Sequence, residues 1–219
     1  MDPFIDISNT TIESERLILR YWQMGDLSDF YEYASVPGVG EMAGWKHHES
    51  MEESKKILSL FMEEKDVFAI VSKAEEKVIG SLGLKKSWAE AFPEYQKLKM
   101  KEIGYVLSKD YWGRGLMTEA VRRIIRFCFD TEGIEALTVG RFIDNYRSKR
   151  VIEKCGFQYV GSGEFYSSQL QKSFPEMRYI FLNSPNPMWI WNSLINQTVS
   201  VVVVFETMQL VRFFYAVIT

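Results

Sequence analysis

Cysteine is scarce in this chain of 219 residues: there are two, Cys128 and Cys155. Both fall in stretches with helical spacing, so each reads as a small buried hydrophobe rather than half of a disulfide. Histidine is equally scarce, with only His47 and His48; two adjacent imidazoles with no cysteine nearby make a poor zinc site, and no metal is expected. Charge of one sign is missing too. The 26 Lys and Arg against 29 Asp and Glu leave a formal net charge of −3, which gives no strong field for nucleic acid or anionic lipid. The expected partner is therefore a small molecule or one local protein surface, with no nucleic acid and no membrane. The start, Met-Asp-Pro-Phe-Ile-Asp, lacks the basic residues and long apolar run of an export signal, so the cytoplasm is the expected compartment. No internal repeat or low-complexity tract is visible.

What is present is a large apolar fraction, 47%, with 15% aromatics, enough to bury one sizeable core. Thr11 to Trp22 reads as a first strand, and Asp26 as the N-cap of a short helix to about Ser35, ended by Pro37-Gly38. Glu49 to Lys65 places Ile57, Leu58, Phe61 and Met62 on one helical face. Val67–Ser72 and 77–84 read as a hairpin, and 85–99 as a long loop. Met100 to Ser108 is a strand, and Gly115 to about Asp130 a helix whose Arg122, Arg123 and Arg126 form a solvated face. Leu137 to Ile143 is a strand, and Asn145 to Cys155 a helix closed by Gly156. Phe157–Tyr166 and Met177–Leu182 are the last two strands. Three consecutive strands without crossover helices predict a mostly antiparallel sheet of about seven strands flanked by about four helices, an α/β (α+β) fold. Residues 1–183 read as one domain and 184–219 as an apolar extension. The extension's polar interruptions at Asn192, Asn196, Gln197 and Ser200 argue against a membrane span, and Val201–Phe205 has strand character.

The stretch that carries chemistry is Glu102-Ile-Gly-Tyr-Val-Leu-Ser-Lys-Asp-Tyr-Trp-Gly-Arg-Gly-Leu-Met-Thr-Glu-Ala120. A strand feeds a glycine-bearing turn, which feeds a helix. Glycines 113 and 115 let the backbone approach a ligand, and the first N–H groups of a helix favour negative charge. A pyrophosphate fits there. The two glycines alone are equally consistent with a plain strand-to-helix turn, and the pattern is neither a Walker loop nor a complete dinucleotide fingerprint.

Together with Asn145-Tyr-Arg-Ser-Lys-Arg-Val-Ile-Glu-Lys-Cys-Gly-Phe157, this stretch resembles the GNAT N-acetyltransferase superfamily. Ser14-Glu-Arg-Leu-Ile-Leu-Arg20 is similar to its bacterial ribosomal-protein-alanine branch, the RimJ and RimL type. Trp112 and Met117 depart from the superfamily loop, standing at its usual first (Gln or Arg) and last (Gly or Ala) positions. The resemblance implies a GNAT-like fold from about Thr11 to Asn183. It implies acetyl-CoA as cofactor, leaving as coenzyme A. Backbone groups of Val106, Leu107 and Ser108 would line the pantetheine, and amides of Gly113, Arg114, Gly115, Leu116, Met117 and Thr118 would hold the pyrophosphate. Asn145 would face the pantetheine amides, and the Ser148 hydroxyl would donate to the departing thiolate; without the resemblance both read as residues of a helix start.

Acyl transfer to an amine needs a neutral amine, and a lysine-like amine near pKa 10.4 costs roughly 4–5 kcal/mol to deprotonate at neutral pH. Glu102, at the head of the strand, is the candidate general base through a water; a structural ion pair with a lysine is the competing reading. Trp45, His47 and Trp88 are candidate acceptor-pocket residues, with Phe92 and Tyr95 beside them, and the exposed aromatics serve equally for a homodimer contact. Adjacent histidines on a polar loop are expected to face solvent. The implied activity is acetyl transfer to a primary amine, first a protein N-terminus, next a small amine or antibiotic. A catalytically weak acetyl-CoA sensor or protein-interaction module is the alternative.

Overall fold

The computed structural model describes residues 1–183, and the apolar extension lies outside the described residues. Eight strands form one sheet in the order β1-β2-β3-β4-β5-β6-β8-β7. They are β1 (Thr11–Glu13), β2 (Leu17–Arg20), β3 (Val67–Ser72), β4 (Lys77–Lys85), β5 (Met100–Leu107), β6 (Ala136–Phe142), β7 (Gln158–Ser167) and β8 (Lys172–Leu182). Every neighbouring pair is antiparallel except β5 with β6. Among the described residues the α-helices are α1 (Leu27–Ala34), α2 (Met51–Glu64), α3 (Leu116–Arg126) and α4 (Tyr146–Lys154).

The extra strand arises because Thr11 to Trp22 is a hairpin. The Ser14 amide and the Leu17 carbonyl close the turn at 2.9 Å, and the Ser14 hydroxyl accepts from the Leu17 amide at 3.1 Å. A serine side chain that bonds locally in this way competes with a continuous strand. Asp26 also differs from its expected role: it makes no side-chain cap on α1. Its carboxylate instead accepts two hydrogen bonds from Arg20, each 2.8 Å, and one from the Gln23 amide. A bidentate guanidinium outcompetes a capping amide. In α2 the expected pattern holds, with Ser50 accepting from the Glu53 amide, as a serine N-cap should.

The two larger of three apolar clusters among the described residues sit on opposite faces of the sheet. On one, Leu17, Leu19, Phe68, Leu82, Ile103 and Leu107 pack against Leu116, Ala120 and Ile124 of α3. On the other, Trp22, Phe30, Leu58, Val67, Ala69 and Val78 pack together, with Val106 against them. Side chains alternate along a strand, so β5 contributes Ile103, Tyr105 and Leu107 to the α3 side and Val106 to the α1/α2 side. Cys128 and Cys155 are both buried and free. Past Arg126, α3 runs into a π-helical turn, Phe127–Thr131, which ends the helix. No helix among the described residues is long and apolar enough to cross a membrane.

Candidate active site

The parallel pair β5/β6 is joined only over Met100–Glu102 and Ala136–Thr138. β5 continues to Leu107 along β4, so beyond Glu102 its other edge has no strand beside it. This divergence opens a cleft, bounded by Tyr105, Val106 and Leu107 on one side and by Asn145 and Ser148 of the α4 start on the other. Its floor continues to Gly113, Gly115, Leu116, Met117 and Thr118 at the start of α3.

The turn into α3 has the backbone that its sequence demands. Gly113 and Gly115 both have left-handed φ, 77° and 78°, where a side chain costs roughly 1–2 kcal/mol. α3 follows at once, so the N–H groups of Leu116, Met117 and Thr118 have no partner inside the helix and point out of its positive end. Arg16 braces this turn. Its backbone amide and its Nε donate to the Glu119 carboxylate at 2.9 and 2.7 Å, and its Nη1 donates to the Arg114 carbonyl at 3.0 Å. The Ser14–Arg20 segment thus has a physical role, which is to tie the first hairpin to the glycine turn.

Trp112 forms the cleft wall above that turn. Its Nε1 donates to the Leu107 carbonyl at 2.8 Å, closing the end of β5, and the Arg147 guanidinium lies 4.2 Å from the ring centroid. Arg147, Arg150 and Lys154 line the cleft along α4, and none has a carboxylate within salt-bridge distance among the described residues. A cleft with free amides and unpaired cations suits a polyphosphate ligand. Met117 is buried in the α3-side core while also lining the cleft. Arg114 and Ser108 are not among the lining residues. Arg114 stacks over Tyr111 at 5.1 Å, and the Ser108 amide is bound to the Ile79 carbonyl.

At the α4 start, Asn145 Oδ1 accepts from the Ser148 amide at 3.1 Å and Nδ2 donates to the Met42 carbonyl at 3.2 Å. It therefore caps α4 and bridges the cleft to the α1–α2 connection. Ser148 Oγ meets the Tyr105 hydroxyl at 2.8 Å.

Glu102 sits where β5 and β6 part. Burial lifts its carboxyl up to about 7, helped by the charge of Glu176, while the Trp88 amide, Arg178 and the Gly140 amide pull the other way. The Trp88 amide donates to Glu102 Oε2 at 3.3 Å. A Cβ on Gly140 would lie 2.1 Å from Glu176 Oε1, so a side chain there would displace the second carboxylate. Glu176 accepts from Arg178 Nε at 3.0 Å, and Arg178 lies over Trp88 at 5.2 Å. No lysine pairs with Glu102 among the described residues; Lys85, opposite it on β4, turns to Glu64 and Asp66 instead.

A model of the acetyltransferase (GNAT) domain matches residues 16–158. The chain belongs to the GNAT acetyltransferase family. This GNAT acetyltransferase is 26% identical over 155 residues to an uncharacterized N-acetyltransferase, YoaA, of Bacillus subtilis, covering 68% of this chain and 84% of the relative. Among solved structures, its fold resembles ribosomal-protein-S5-alanine acetyltransferase from Vibrio fischeri (TM-score 0.62, 21% identity, 80% of this chain and 98% of that one). It also resembles the microcin C7 self immunity acetyltransferase MccE in complex with acetyl-CoA and AMP (TM-score 0.65, 19% identity, 81% and 99%). The chain is an acyltransferase enzyme, and the family uses acetyl-CoA.

In the connection between α1 and α2, this acetyltransferase buries what its polar loop suggested would be exposed. His48 is 5% exposed; its Nδ1 meets Ser54 Oγ at 2.7 Å, and burial pushes its pKa below the usual histidine value. The expectation of a solvent-facing pair fails because Phe30 and Trp45 enclose the ring. His47 is half-buried, with Nδ1 2.7 Å from Glu41 Oε1. Burial works against the Glu41 carboxylate, yet hydrogen bonds from His47 and from the Gly38 and His47 amides hold it at about 2. Trp45 closes on Gly40, where a Cβ would lie 2.2 Å from its ring. Trp88 is fixed through Ser87, whose hydroxyl meets Thr138 Oγ1 at 2.8 Å. Sequence reasoning missed Glu176, Arg178 and Tyr105. Glu176 and Arg178 alternate with Met177 and Tyr179 in the middle of β8, a period-2 signal for one shared face.

Proposed function

We propose that this protein moves an acetyl group from acetyl-CoA to a primary amine, with a protein N-terminal amine as the first acceptor class and a small amine as the second. The observation that carries the reading is the divergence of β5 from β6 directly above the glycine turn of α3, with Glu102 at the fork. When bound, acetyl-CoA supplies the acyl group as a thioester. The amides from Gly113 to Thr118 hold the pyrophosphate, and the open edge of β5 at Val106 and Leu107 offers backbone partners to the pantetheine, with Ser108 at its end. Asn145 reaches the same arm by exchanging the Met42 carbonyl for a pantetheine oxygen.

Glu102 takes the proton of the incoming ammonium, directly or through one water. A carboxyl near 7 is matched to this proton transfer at neutral pH, because a base is most effective when its pKa lies near the working pH. It also fits an α-amine near pKa 8 far better than a lysine near 10.4, which favours the N-terminal acceptor. Ser148 would be the hydrogen-bond donor to the sulfur of the bound thioester. Trp88, Trp45 and His47 wall the acceptor side. The structural neighbours include enzymes of both acceptor classes, a ribosomal-protein-S5-alanine acetyltransferase and a spermidine N-acetyltransferase, so the ranking rests on the match between the carboxyl and the amine.

The test is thiol release from acetyl-CoA with a panel of peptides of differing N-terminal residue and a panel of small amines, with the product identified by mass spectrometry. Acetylation at a peptide α-amine supports the reading. Transfer only to side-chain or small amines moves the acceptor to the second class, and no release with any acceptor contradicts it.

A further inference from the structure

Ser148 is a weak hydrogen-bond donor unless its single proton is aimed. A hydroxyl has one proton to give and two lone pairs to receive, and a serine in the first turn of a helix readily spends its proton on a nearby backbone carbonyl. In this protein the first-turn serine is held from two sides. Its backbone amide is bound to Asn145 Oδ1 at 3.1 Å, and its Oγ lies 2.8 Å from the Tyr105 hydroxyl. The Tyr105 oxygen lies farther, 3.4 Å, from the Ser148 carbonyl, so its one proton is better placed for Oγ. Both residues line the cleft, and Ser148 is 8% exposed.

We infer that Tyr105 is a positioning residue: its hydroxyl donates to Ser148 Oγ and thereby leaves the Ser148 proton directed into the cleft, toward the sulfur of the acyl carrier. The inference rests on the acetyl-CoA reading above and adds to it a residue on β5 that does not touch the reacting atoms. No proton leaves either hydroxyl; the serine shares its own proton with sulfur, and the tyrosine fixes which way that proton points. Burial holds the Tyr105 phenol well above its usual range, with Cys155 just past α4 adding to the effect and Ser148 and Arg141 of β6 opposing it. The phenol therefore remains a donor wherever the enzyme works.

The pKa of the thiol of bound coenzyme A, read from ultraviolet thiolate absorbance across a pH titration, reports the Ser148 donor without needing an acceptor amine. A free thiol ionises near about 8.5, and a donor to the thiolate lowers that value. Ser148→Ala and Tyr105→Phe should each raise the bound thiol pKa by up to about one unit. The double variant should show no further rise, because Tyr105 acts only through Ser148. Ser148→Thr, which keeps the hydroxyl, should restore most of the lowering as long as Tyr105 is present. An unchanged pKa in Tyr105→Phe, or a rise in the double variant equal to the sum of the two, overturns the inference. Failure of coenzyme A to bind wild-type protein overturns the cofactor reading beneath it, an outcome distinct from both.

Discussion

The two ends of the β5/β6 fork are built from different materials. At the α3 end the groups that carry the geometry are main-chain amides, held by two left-handed glycines and braced by Arg16, with the cations Arg147, Arg150 and Lys154 of α4 lining the same cleft. At the Glu102 end they are side chains gathered from β5, β8 and the turn at Trp88. A main-chain site is tolerant of which residues carry it, provided the backbone angles are met. A side-chain site depends on each group and on its charge. The first therefore suits a cofactor common to a family, and we propose that the second governs acceptor choice.

The contrast is most vulnerable at the side-chain end. Glu102→Gln should lower kcat by about a hundredfold, the lower end of what a general base contributes, while leaving coenzyme A affinity within about twofold. Steady-state kinetics and calorimetry on the same preparation would check both halves. The kcat/KM of the wild type should rise with pH and level off above about 7, where Glu102 is half deprotonated, and this limb should vanish in the variant.

The same substitution should act oppositely on stability. The Glu102 carboxyl is raised from 4.5 to about 7 in the folded state, so below about 4.5 both states are protonated and nothing is lost. Between those values the unfolded chain sheds the proton first, and stability falls as pH rises. Glu102→Gln should then gain roughly 1–3 kcal/mol over wild type at pH 8 and almost nothing at pH 4. Urea denaturation at the two pH values measures it; an equal gain at both would mean that packing, not charge, is responsible.

At the main-chain end, Gly113→Ala meets open space, with nothing within 4 Å of the new Cβ, so its whole effect is conformational. A cost of about 1–2 kcal/mol at positive φ predicts coenzyme A binding weakened by about tenfold, with the melting temperature little changed if the turn relaxes rather than strains. A smaller effect is expected from Trp112→Phe, which keeps an aromatic ring, though a smaller one, and removes the donor to the Leu107 carbonyl. Roughly 0.5–1.5 kcal/mol of stability should be lost, read by thermal unfolding.

The same difference governs what is legible in the chain. The glycine turn, the cap of α4 by Asn145 and the α3 helix are local, set by residues within a few positions of each other, and the sequence pattern reports such features directly. The hairpin at Ser14 is hidden because an apolar strand and two short strands joined by a tight turn share nearly the same alternation. Glu176 and Arg178 stand more than seventy positions from Glu102, and only the pairing of β8 with β6 brings them alongside. A last strand read as starting at Met177 instead of Lys172 leaves Glu176 outside the pattern. The burial of His48 is not legible because it comes from Phe30 and Trp45 on either side of a loop, not from any periodicity around it.

Everything at the α3 end depends on the amides following Trp112 gripping the cofactor's anionic end. The decisive measurement is a titration of isotope-labelled protein with coenzyme A, following the backbone amide resonances. Saturable shifts are expected, largest from Gly113 to Thr118 and weakened together in Gly113→Ala. Shifts confined to another face of the sheet, or none at all, would contradict the proposed grip.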